Sequence, residues 1–275
     1  MIDGPAAEGC RIGLVPTGEP SINPQPSTLN PLGEYYDRFW QPENRAAQEQ
    51  HDFHAFQRSV DRALGWVLHD GGGLALKVVL EIGPGRGRDT EAFARGGARI
   101  IALDLSTKSL ALARERLTRA GFADRIFCIV GDAARMPFRD RAFDLTFSRF
   151  VVAHVDTDAL GPELARVLRP GGRAVMVEPL AGNPLVRLYR CFAATGCRET
   201  APRYVSLGAV RRMAASFPRG WRHREFYLFS VVALALRGTP LFRPISWLLQ
   251  LLELPFTTWG PFRGLCWVLV AELRR

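Results

Sequence analysis

A short apolar run that ends in three alternating glycines constrains the fold more than any other part of the sequence. Residues 77–82, KVVLEI, are rich in β-branched side chains and predict a strand that is buried on both faces. Residues 83–87, GPGRG, follow directly, and glycine lets a chain turn sharply and bring its backbone close to a ligand. Residues 89–95 have a helical pattern, with Asp89 or Thr90 as the expected N-cap. The segment therefore predicts a strand–turn–helix unit that binds a ligand at the turn.

The spacing and charges of this unit indicate a nucleoside ligand that has no pyrophosphate. A second predicted strand, residues 99–103, is followed by Asp104, whose carboxylate can accept both hydroxyls of a ribose. A dinucleotide site uses G-x-G-x-x-G and keeps its third glycine beside the pyrophosphate. Here the pattern is G-x-G-x-G, and Arg88 occupies the place of that third glycine. Glu81 and Asp89 add negative charge, which favours a cationic ligand.

Three segments in the same order resemble the class I S-adenosylmethionine-dependent methyltransferases, and in particular their small-molecule, type 11-like group. The first is the strand, acidic residue and GxGxG loop at 77–87. The second is 131–155, GDAARMPFRDRAFDLTFSRFVVAHV, which is similar to G-D-A-x-x-[ML]-P-F followed by F-D, an apolar strand and a histidine. The third is the LRPGG turn at 168–172, which precedes a strand rich in Val and Met.

The resemblance implies an α/β fold with a Rossmann-like, seven-stranded, mostly parallel sheet, an antiparallel last strand and helices on both faces. Repeating strand–helix units with short connections favour a parallel sheet as well. The later strands are expected at 125–130, 143–148, 173–177, 222–236 and 266–273. We expect a flexible Pro-rich tail over 1–33, an N-terminal helical cap over 34–73, and a methyltransferase domain over 74–275 with an apolar helical insert at about 238–262.

The resemblance also implies S-adenosyl-L-methionine as the cofactor and assigns residues to each of its parts. At the amino-acid end we expect Glu81, Gly83, Gly85 and Gly87. Asp104 would bind the ribose, Leu105 would lie against the adenine, and Asp132 with Ala133 would contact the adenine edge. Substrate contacts are expected from the cap aromatics Tyr35, Tyr36 and Trp40, and from Glu178 at the end of the fifth strand.

Methyl transfer from a sulfonium is a displacement with a good leaving group, so positioning in a dry pocket can supply much of the catalysis. A general base is needed only when the acceptor is a hydroxyl or a carbon acid. His154, just after the fourth strand, is the candidate base, and a structural role is the alternative for it. His51 and His54 are weaker candidates. No metal site is expected, because the five cysteines, at 10, 128, 191, 197 and 266, lack metal-ligand spacing.

The basic character of the chain belongs to its C-terminal third. The net charge is +9, yet residues 180–275 hold 14 arginines, no lysine and only 4 glutamates. This asymmetry indicates an anionic partner or surface, or an arginine-rich genome. The 241–254 segment is apolar on nearly every side and is shorter than the ~20 residues that span a bilayer. An anionic membrane surface, a homodimer contact and the protein's own core remain open for it.

The odd number of cysteines favours free thiols in a reducing compartment, and the N-terminus lacks the pattern of a secretory signal. We therefore expect a cytoplasmic protein, peripheral at the inner membrane face if 241–254 contacts lipid. The function predicted here is methyl transfer to a small, lipophilic molecule. The alternatives are an RNA or other nucleic-acid methyltransferase and a catalytically silent cofactor-binding partner subunit. An NAD-dependent dehydrogenase is the alternative on fold alone.

Overall fold

The computed structural model describes residues 31–44, 60–61, 64–65, 73–193, 204–236, 238–258 and 260–275. Its centre is a sheet whose strands are β1 (Val78–Ile82), β2 (Arg99–Asp104), β3 (Ile126–Val130), β4 (Phe143–Arg149), β5 (Leu168–Pro179), β6 (Trp221–Phe226) and β7 (Val268–Arg274). The order across the described sheet is β3-β2-β1-β4-β5-β7-β6. Strands β1 to β5 pair in parallel, and β7 is antiparallel to both β5 and β6. This confirms the predicted fold class.

Helices cover both faces of the sheet, as the continuously apolar strands require. They are α1 (Pro31–Phe39), α2 (Arg88–Arg95), α3 (Thr107–Arg119), α4 (Thr157–Val167), α5 (Pro184–Ala193), α6 (Leu207–Ala214), α7 (Phe242–Thr258) and α8 (Gly260–Arg263). One face of the sheet packs against α4 and α6, through residues such as Leu160 and Met213. The other face packs against α2 and α3, through residues such as Phe93 and Leu117. Successive residues of each strand therefore contribute to different halves of the core.

The carboxyl ends of the strands meet at one edge of the sheet. The amide of Gly83, just after β1, donates to the carbonyl of Leu103 on β2 at 2.9 Å. On the other side, the amide of Phe150, after β4, donates to Val177 on β5 at 2.8 Å. Parallel strands place their following loops at the same edge, which is where open α/β sheets bind ligands. The glycine loop and the second and third signature segments are brought together there.

The structure differs from the sequence expectation at three element boundaries. Helix α2 begins at Arg88 with Gly87 as its N-cap, so neither Asp89 nor Thr90 caps it. The LRPGG segment opens β5, and the pairing with β4 shifts register between Phe143 and Leu145, because the extra residues form a bulge. The expected sixth strand is too long. It ends at Phe226, Tyr227 adopts a φ of 65°, and residues 230–236 form a 3₁₀ helix.

The cap is described only in part. Helix α1 begins at Pro31, inside the segment predicted as tail, and residues 1–30 lie outside the described residues. Val60 and Leu64, on the predicted second cap helix, are helical and buried against the sheet domain. The remaining positions predicted for that helix, including His51 and His54, lie outside the described residues. The domain boundaries therefore stay a prediction. Among the described helices, none combines the length and hydropathy that crossing a bilayer requires.

Candidate cofactor and substrate site

Each glycine of the loop after β1 faces a different wall of the site. All three have positive φ values, of 69°, 55° and 73° in chain order. A Cβ atom on Gly83 would overlap the side chain of Val151 in the loop after β4. A Cβ atom on Gly85 would lie 3.3 Å from Trp40 of the cap, and one on Gly87 would lie 2.7 Å from the Cα atom of Ala113 on α3. The three neighbours and the positive φ values disfavour a side chain at each of these glycines.

Glu81 is a buried carboxyl group directly before the loop. It is 2% exposed, and burial raises its pKa to about 8, with the nearby Asp89 and Asp104 carboxylates adding to the effect. Thr90 and Arg149 oppose the shift. Its Oε2 atom has no hydrogen-bond partner among the described residues. A cationic group placed against it would favour the charged carboxylate.

A partly buried ion-pair network joins β4, the entrance of α2 and the cap. The guanidinium of Arg149 donates to both carboxylate oxygens of Asp89, with Nε–Oδ2 2.7 Å and Nη2–Oδ1 3.0 Å. Its Nη2 atom also reaches Asp61 of the cap at 3.2 Å, and Arg88 binds the other oxygen of Asp61 at 2.7 Å. Arg149 thus compensates the Asp89 charge that the sequence placed at the helix entrance. Its Nη1 atom is buried and has no partner among the described residues.

Asp104, at the end of β2, is held by the first turn of α3. Its Oδ1 atom accepts the amide of Ser106 at 2.9 Å, and its Oδ2 atom accepts the hydroxyl of Ser109 at 2.5 Å. Burial raises the pKa of the Asp104 carboxyl. Each carboxylate oxygen has a second lone pair, so these contacts orient the group and leave it able to accept from ribose hydroxyls.

Asp132 and Ala133 lie beside Asp104 after β3. The amide of Gly131 donates to the carbonyl of Asp104 at 3.0 Å, which joins the ends of β2 and β3. Asp132 is exposed, and its Oδ1 atom accepts the amide of Ala134 at 2.8 Å, while Ala133 is buried. The structure therefore brings the pair predicted for the adenine edge next to the residue predicted for the ribose.

The side chain of Asp37 binds helix α1 to the N-terminus of α3, beside this part of the site. The Asp37 carboxylate accepts the hydroxyl of Ser106 at 2.6 Å, the hydroxyl of Thr107 at 3.1 Å and the amide of Lys108 at 3.1 Å. A negative charge at this position also interacts favourably with the N-terminus of α3. A Cβ atom on Gly33 of α1 would lie 3.2 Å from the carbonyl oxygen of Leu105, so the helix passes directly over the predicted adenine contact.

The cap aromatics connect the nucleoside side of the site with the candidate base. Tyr36 makes edge-to-face contacts with Tyr35, at 5.2 Å between ring centroids, and with His154, at 5.5 Å. Burial, together with Tyr35 and the Asp104 carboxylate, raises the pKa of the Tyr36 phenol. Trp40 lies against Gly85, on the glycine loop. These contacts place Tyr35, Tyr36 and Trp40 between His154 and the glycine loop, at the ligand-binding edge of the sheet.

Glu178 acts on the loop after β4. It is fully buried, and its Oε1 atom accepts the amides of Val151 and Val152, each at 3.1 Å. Burial raises its pKa to about 7, against the opposing effect of these hydrogen bonds. Strand alternation puts its side chain on the opposite sheet face from Glu81. Glu178 thereby fixes the turn that packs Val151 on Gly83 and carries His154 three residues later.

The site contains three residues that the sequence patterns did not single out as contacts: Arg149, Asp37 and Asp61. Arg149 and Asp89 are 60 positions apart, and Asp37 and Ser106 are 69 positions apart. Such pairs have no local pattern. For Arg149 a signal did exist, since an arginine at the end of an apolar strand needs a buried acidic partner.

The comparisons with known proteins agree with this geometry. The model of a methyltransferase domain family matches residues 80–176, which run from β1 through the glycine loop into β5. The chain is similar in fold to geranyl diphosphate C-methyltransferase from Streptomyces coelicolor A3(2), with a TM-score of 0.59 and 18% identity, over 90% of this chain and 100% of that one. Residues 80–176 therefore match a methyltransferase domain family, and the chain shares its fold with solved methyltransferases.

Two further methyltransferases define how far the similarity extends. The solved structure of phosphoethanolamine N-methyltransferase 2 from Haemonchus contortus matches with a TM-score of 0.59 and 20% identity, over 90% of this chain and 61% of that one. A demethylmenaquinone methyltransferase from Thermobifida fusca (strain YX) is 38% identical over 116 residues, which is 41% of this chain and 48% of the relative. The chain thus spans about half the length of this curated relative. The methyltransferase family match ends at residue 176, before α7 and the last two strands.

Proposed function

We propose that this chain is an S-adenosylmethionine-dependent methyltransferase that transfers a methyl group to a small, lipophilic molecule. The observation that carries the proposal is the pairing of a buried acid and a buried guanidinium, Glu81 and Arg149, on either side of the glycine loop. Each has an atom without a described partner, Glu81 Oε2 and Arg149 Nη1. The ammonium and the carboxylate of an amino acid are the two groups that match them.

The residues present fit the proposed cofactor along its whole length. When bound, S-adenosylmethionine supplies a methyl group on a positively charged sulfur. Glu81, Gly83, Gly85 and Gly87 are proposed to bind its amino-acid end, Asp104 its ribose, and Leu105, Asp132 and Ala133 its adenine. A dinucleotide fits less well, because its pyrophosphate would lie beside Glu81 and meet no third glycine at α2.

The contribution of the chain to the reaction is mainly positional. The acceptor forms a bond to the methyl carbon while the sulfur–methyl bond breaks and its electron pair stays on sulfur. The acceptor's proton, where it has one, needs a base, and His154 is proposed for that role. Glu178 holds the turn on which His154 lies, and its buried Oε2 atom is the one available to a substrate group. The cap over Leu105 excludes water from the reacting groups.

A lipophilic acceptor is supported by the cap aromatics and by the names of the relatives. Tyr35, Tyr36 and Trp40 present apolar ring surface to the crevice, and aromatic side chains bury large areas of apolar ligand. One similar protein is named for demethylmenaquinone, a quinone compound, and another is named for geranyl diphosphate, a prenyl compound. The acceptor atom stays open, because the similar structures include both a C-methyltransferase and an N-methyltransferase.

The proposed partners and location follow the same reasoning. We propose a small-molecule substrate and a cytoplasmic protein, with residues 241–254 as its contact surface for either an anionic membrane or a second copy of the chain. The helix over this segment carries several exposed leucines in the monomer, which supports a contact surface there.

The test is transfer of a labelled methyl group from S-adenosylmethionine into a host-cell lysate that is then separated into organic, nucleic-acid and protein fractions. The expected result is label in the organic fraction, lost with Asp104→Asn and retained with Asp158→Asn, which changes an exposed aspartate of α4. Label in RNA or DNA would replace the proposal with nucleic-acid methylation. Cofactor binding with no transfer into any fraction would favour the silent partner subunit.

A further inference from the structure

Helix α7 presents its apolar side to solvent. Six of its exposed positions recur at intervals of three and four residues and so share one face of the helix: Pro244, Trp247, Leu248, Leu251, Leu252 and Pro255. We call this face the α7 surface. Trp247 is 64% exposed and Leu252 is 54% exposed, and no position of the face holds a polar side chain. A soluble monomer usually buries such a face, so the α7 surface marks a contact with another molecule or phase.

The buried carboxylate of Glu253 points inward from α7 and fixes this orientation. Glu253 is 3% exposed, and its Oε1 atom accepts the amide of Tyr227 at 3.1 Å and the hydroxyl of Ser230 at 2.9 Å. Its Oε2 atom accepts the amides of Phe229 and Ser230 at 3.1 and 2.9 Å. Turning the helix to bury its leucines would break four hydrogen bonds to a charged group, which is a costly change. The outward apolar face is therefore built into the fold.

Neighbouring elements extend the surface and add positive charge. Val232, on the 3₁₀ helix that packs against α7, and Leu188, on α5, are also exposed. Arg243 is exposed on α7 itself, and Arg187 is exposed beside Leu188. Basic residues next to an apolar face are typical of segments that lie in the headgroup region of a bilayer.

No carboxylate opposes an anionic surface in the described part of this region. Within the described residues of 180–275, the Asp and Glu side chains are Glu225, Glu253 and Glu272, and all three are buried. Glu225 and Glu272 are bound by arginines, and Glu253 by backbone amides. Arg187 and Arg243 are exposed, and the described residues of 180–275 place no exposed acid beside them.

The position of the α7 surface relates it to the crevice. Strand β6 ends at Phe226, which pairs with Val268 at the start of β7, and Val268 also pairs with Pro179 at the end of β5. The segment between β6 and β7, which contains α7, thus emerges at the same sheet edge as the glycine loop. A molecule dissolved in a bilayer under α7 would meet the protein on its ligand-binding edge.

We propose that the α7 surface docks the protein on an anionic lipid bilayer, with the helix lying in the plane of the membrane. Its apolar face would enter the headgroup boundary, and Arg187 and Arg243 would meet anionic headgroups. A second copy is the poorer occupant, because a two-fold contact is self-complementary and would bring arginines together without exposed carboxylates. The proposal goes beyond the proposed function and does not depend on it, since it concerns a surface separate from the cofactor residues.

The experiment is flotation of the purified chain with vesicles of phosphatidylcholine alone and with vesicles that contain phosphatidylglycerol, without cofactor or acceptor. Leu251→Glu places a charge at the centre of the α7 surface. Leu76→Glu is the matched control, because Leu76 is 92% exposed and precedes β1, at the opposite edge of the sheet. We expect binding to the anionic vesicles, at least about tenfold weaker for Leu251→Glu and unchanged for Leu76→Glu. Arg243→Gln is expected to weaken binding about fivefold, as loss of one interfacial charge does.

Circular dichroism and thermal melting check that the variants are folded, and Trp247→Ser replaces Leu251→Glu if that variant is not. Equal binding by the wild type and Leu251→Glu would overturn the proposal, as would equal binding to neutral and anionic vesicles. No vesicle binding, with a dimer in sedimentation velocity that Leu251→Glu dissociates, would assign the surface to a second copy. Since no methyl transfer is measured, a failure here leaves the proposed function untouched.

Discussion

Gly87 is the residue of the glycine loop at which an added side chain would meet the backbone of another element. Its φ of 73° lies in the left-handed region, and a Cβ atom there would come within 2.7 Å of the backbone of Ala113. The left-handed backbone conformation disfavours any residue other than glycine. The short distance to Ala113 excludes a side chain unless α3 moves. Because α3 also carries the Ser109 contact to Asp104, a shift at Gly87 would reach the predicted ribose site.

Gly87→Ala separates these two effects when it is compared with Gly121→Ala. Gly121 has a φ of 80° and open space around its Cα atom, so it tests the backbone conformation alone. We expect Gly121→Ala to lower the free energy of unfolding by about 1 kcal/mol. Gly87→Ala should lower it by about 3 kcal/mol, because overpacking adds to the strain. Urea unfolding measures both values, and equal losses would contradict the close approach to α3.

Glu81 couples cofactor binding to pH. Its pKa of about 8 keeps it protonated at neutral pH, and an ammonium beside it would favour the carboxylate, so binding releases a proton. The affinity for S-adenosylhomocysteine should rise with pH from 6.5 to 8, with a limiting slope of about tenfold per unit. Without cofactor, the raised pKa of Glu81 makes the free energy of unfolding depend on pH. The stabilising contribution of the protonated carboxyl group is lost as the pH rises through about 8.

Titration calorimetry in two buffers of different ionisation enthalpy measures the released proton directly. Glu81→Gln should bind more weakly and lose both the proton release and the pH slope. A wild-type affinity that does not change between pH 6.5 and 8 would contradict the assignment of Glu81 to the cationic end of the cofactor.

At the scale of elements, contacts of two carboxylates help to join the described part of the cap to the sheet domain. Asp37 connects α1 to the N-terminus of α3, and Asp61 connects the next cap segment to Arg88 and Arg149. Both contacts lie at the border of the predicted cofactor site. Since α1 passes over Leu105, we expect the proposed cofactor to leave more easily when the contacts of Asp37 are lost.

Asp37→Asn should therefore speed cofactor dissociation. It removes the charge that accepts from Ser106, Thr107 and Lys108, and hydrogen bonds to charged groups are the stronger ones. We expect dissociation about tenfold faster in stopped-flow displacement, with little change in the melting temperature of the sheet domain. Glu34→Gln, on the same helix but exposed, is the control and should behave as the wild type. A normal dissociation rate for Asp37→Asn would mean that α1 does not retain the cofactor.

Local sequence patterns predicted the elements better than their orientation. The parallel pairing of the first five strands follows from the repeating strand–helix units, and Ser106 caps α3 through a local contact, since its hydroxyl accepts the amide of Ser109. The apolar helix near 241–254 was also predictable. Its exposed face was not, because that face is set by Glu253, whose partners at 227–230 lie more than 20 positions away. The β-rich run at 230–236 likewise became a 3₁₀ helix, since Ser230 is bound to the same carboxylate.

At the scale of the whole molecule, the predicted cofactor site, the candidate base and the segment that contains α7 all lie at one edge of the sheet. The glycine loop, Asp104 and the turn with His154 come from the parallel half of the sheet, the cap covers them, and α7 emerges beside them. The basic segment at 180–275 lies beyond the family match, which ends at residue 176. We expect it to determine where the enzyme works and what reaches the crevice.

Equilibrium binding of S-adenosylmethionine and of NAD⁺ to the same purified protein tests the central claim most directly. The account predicts that the wild type binds S-adenosylmethionine. Binding should be weaker by at least about tenfold for Asp104→Asn, because this substitution removes the charged acceptor of the ribose hydroxyls. Binding should be unchanged for Asp158→Asn. NAD⁺ should bind roughly a hundredfold more weakly, since its pyrophosphate meets the Glu81 side of the loop and no third glycine. Equal or tighter binding of NAD⁺, or no binding of S-adenosylmethionine, would contradict the assignment of this site.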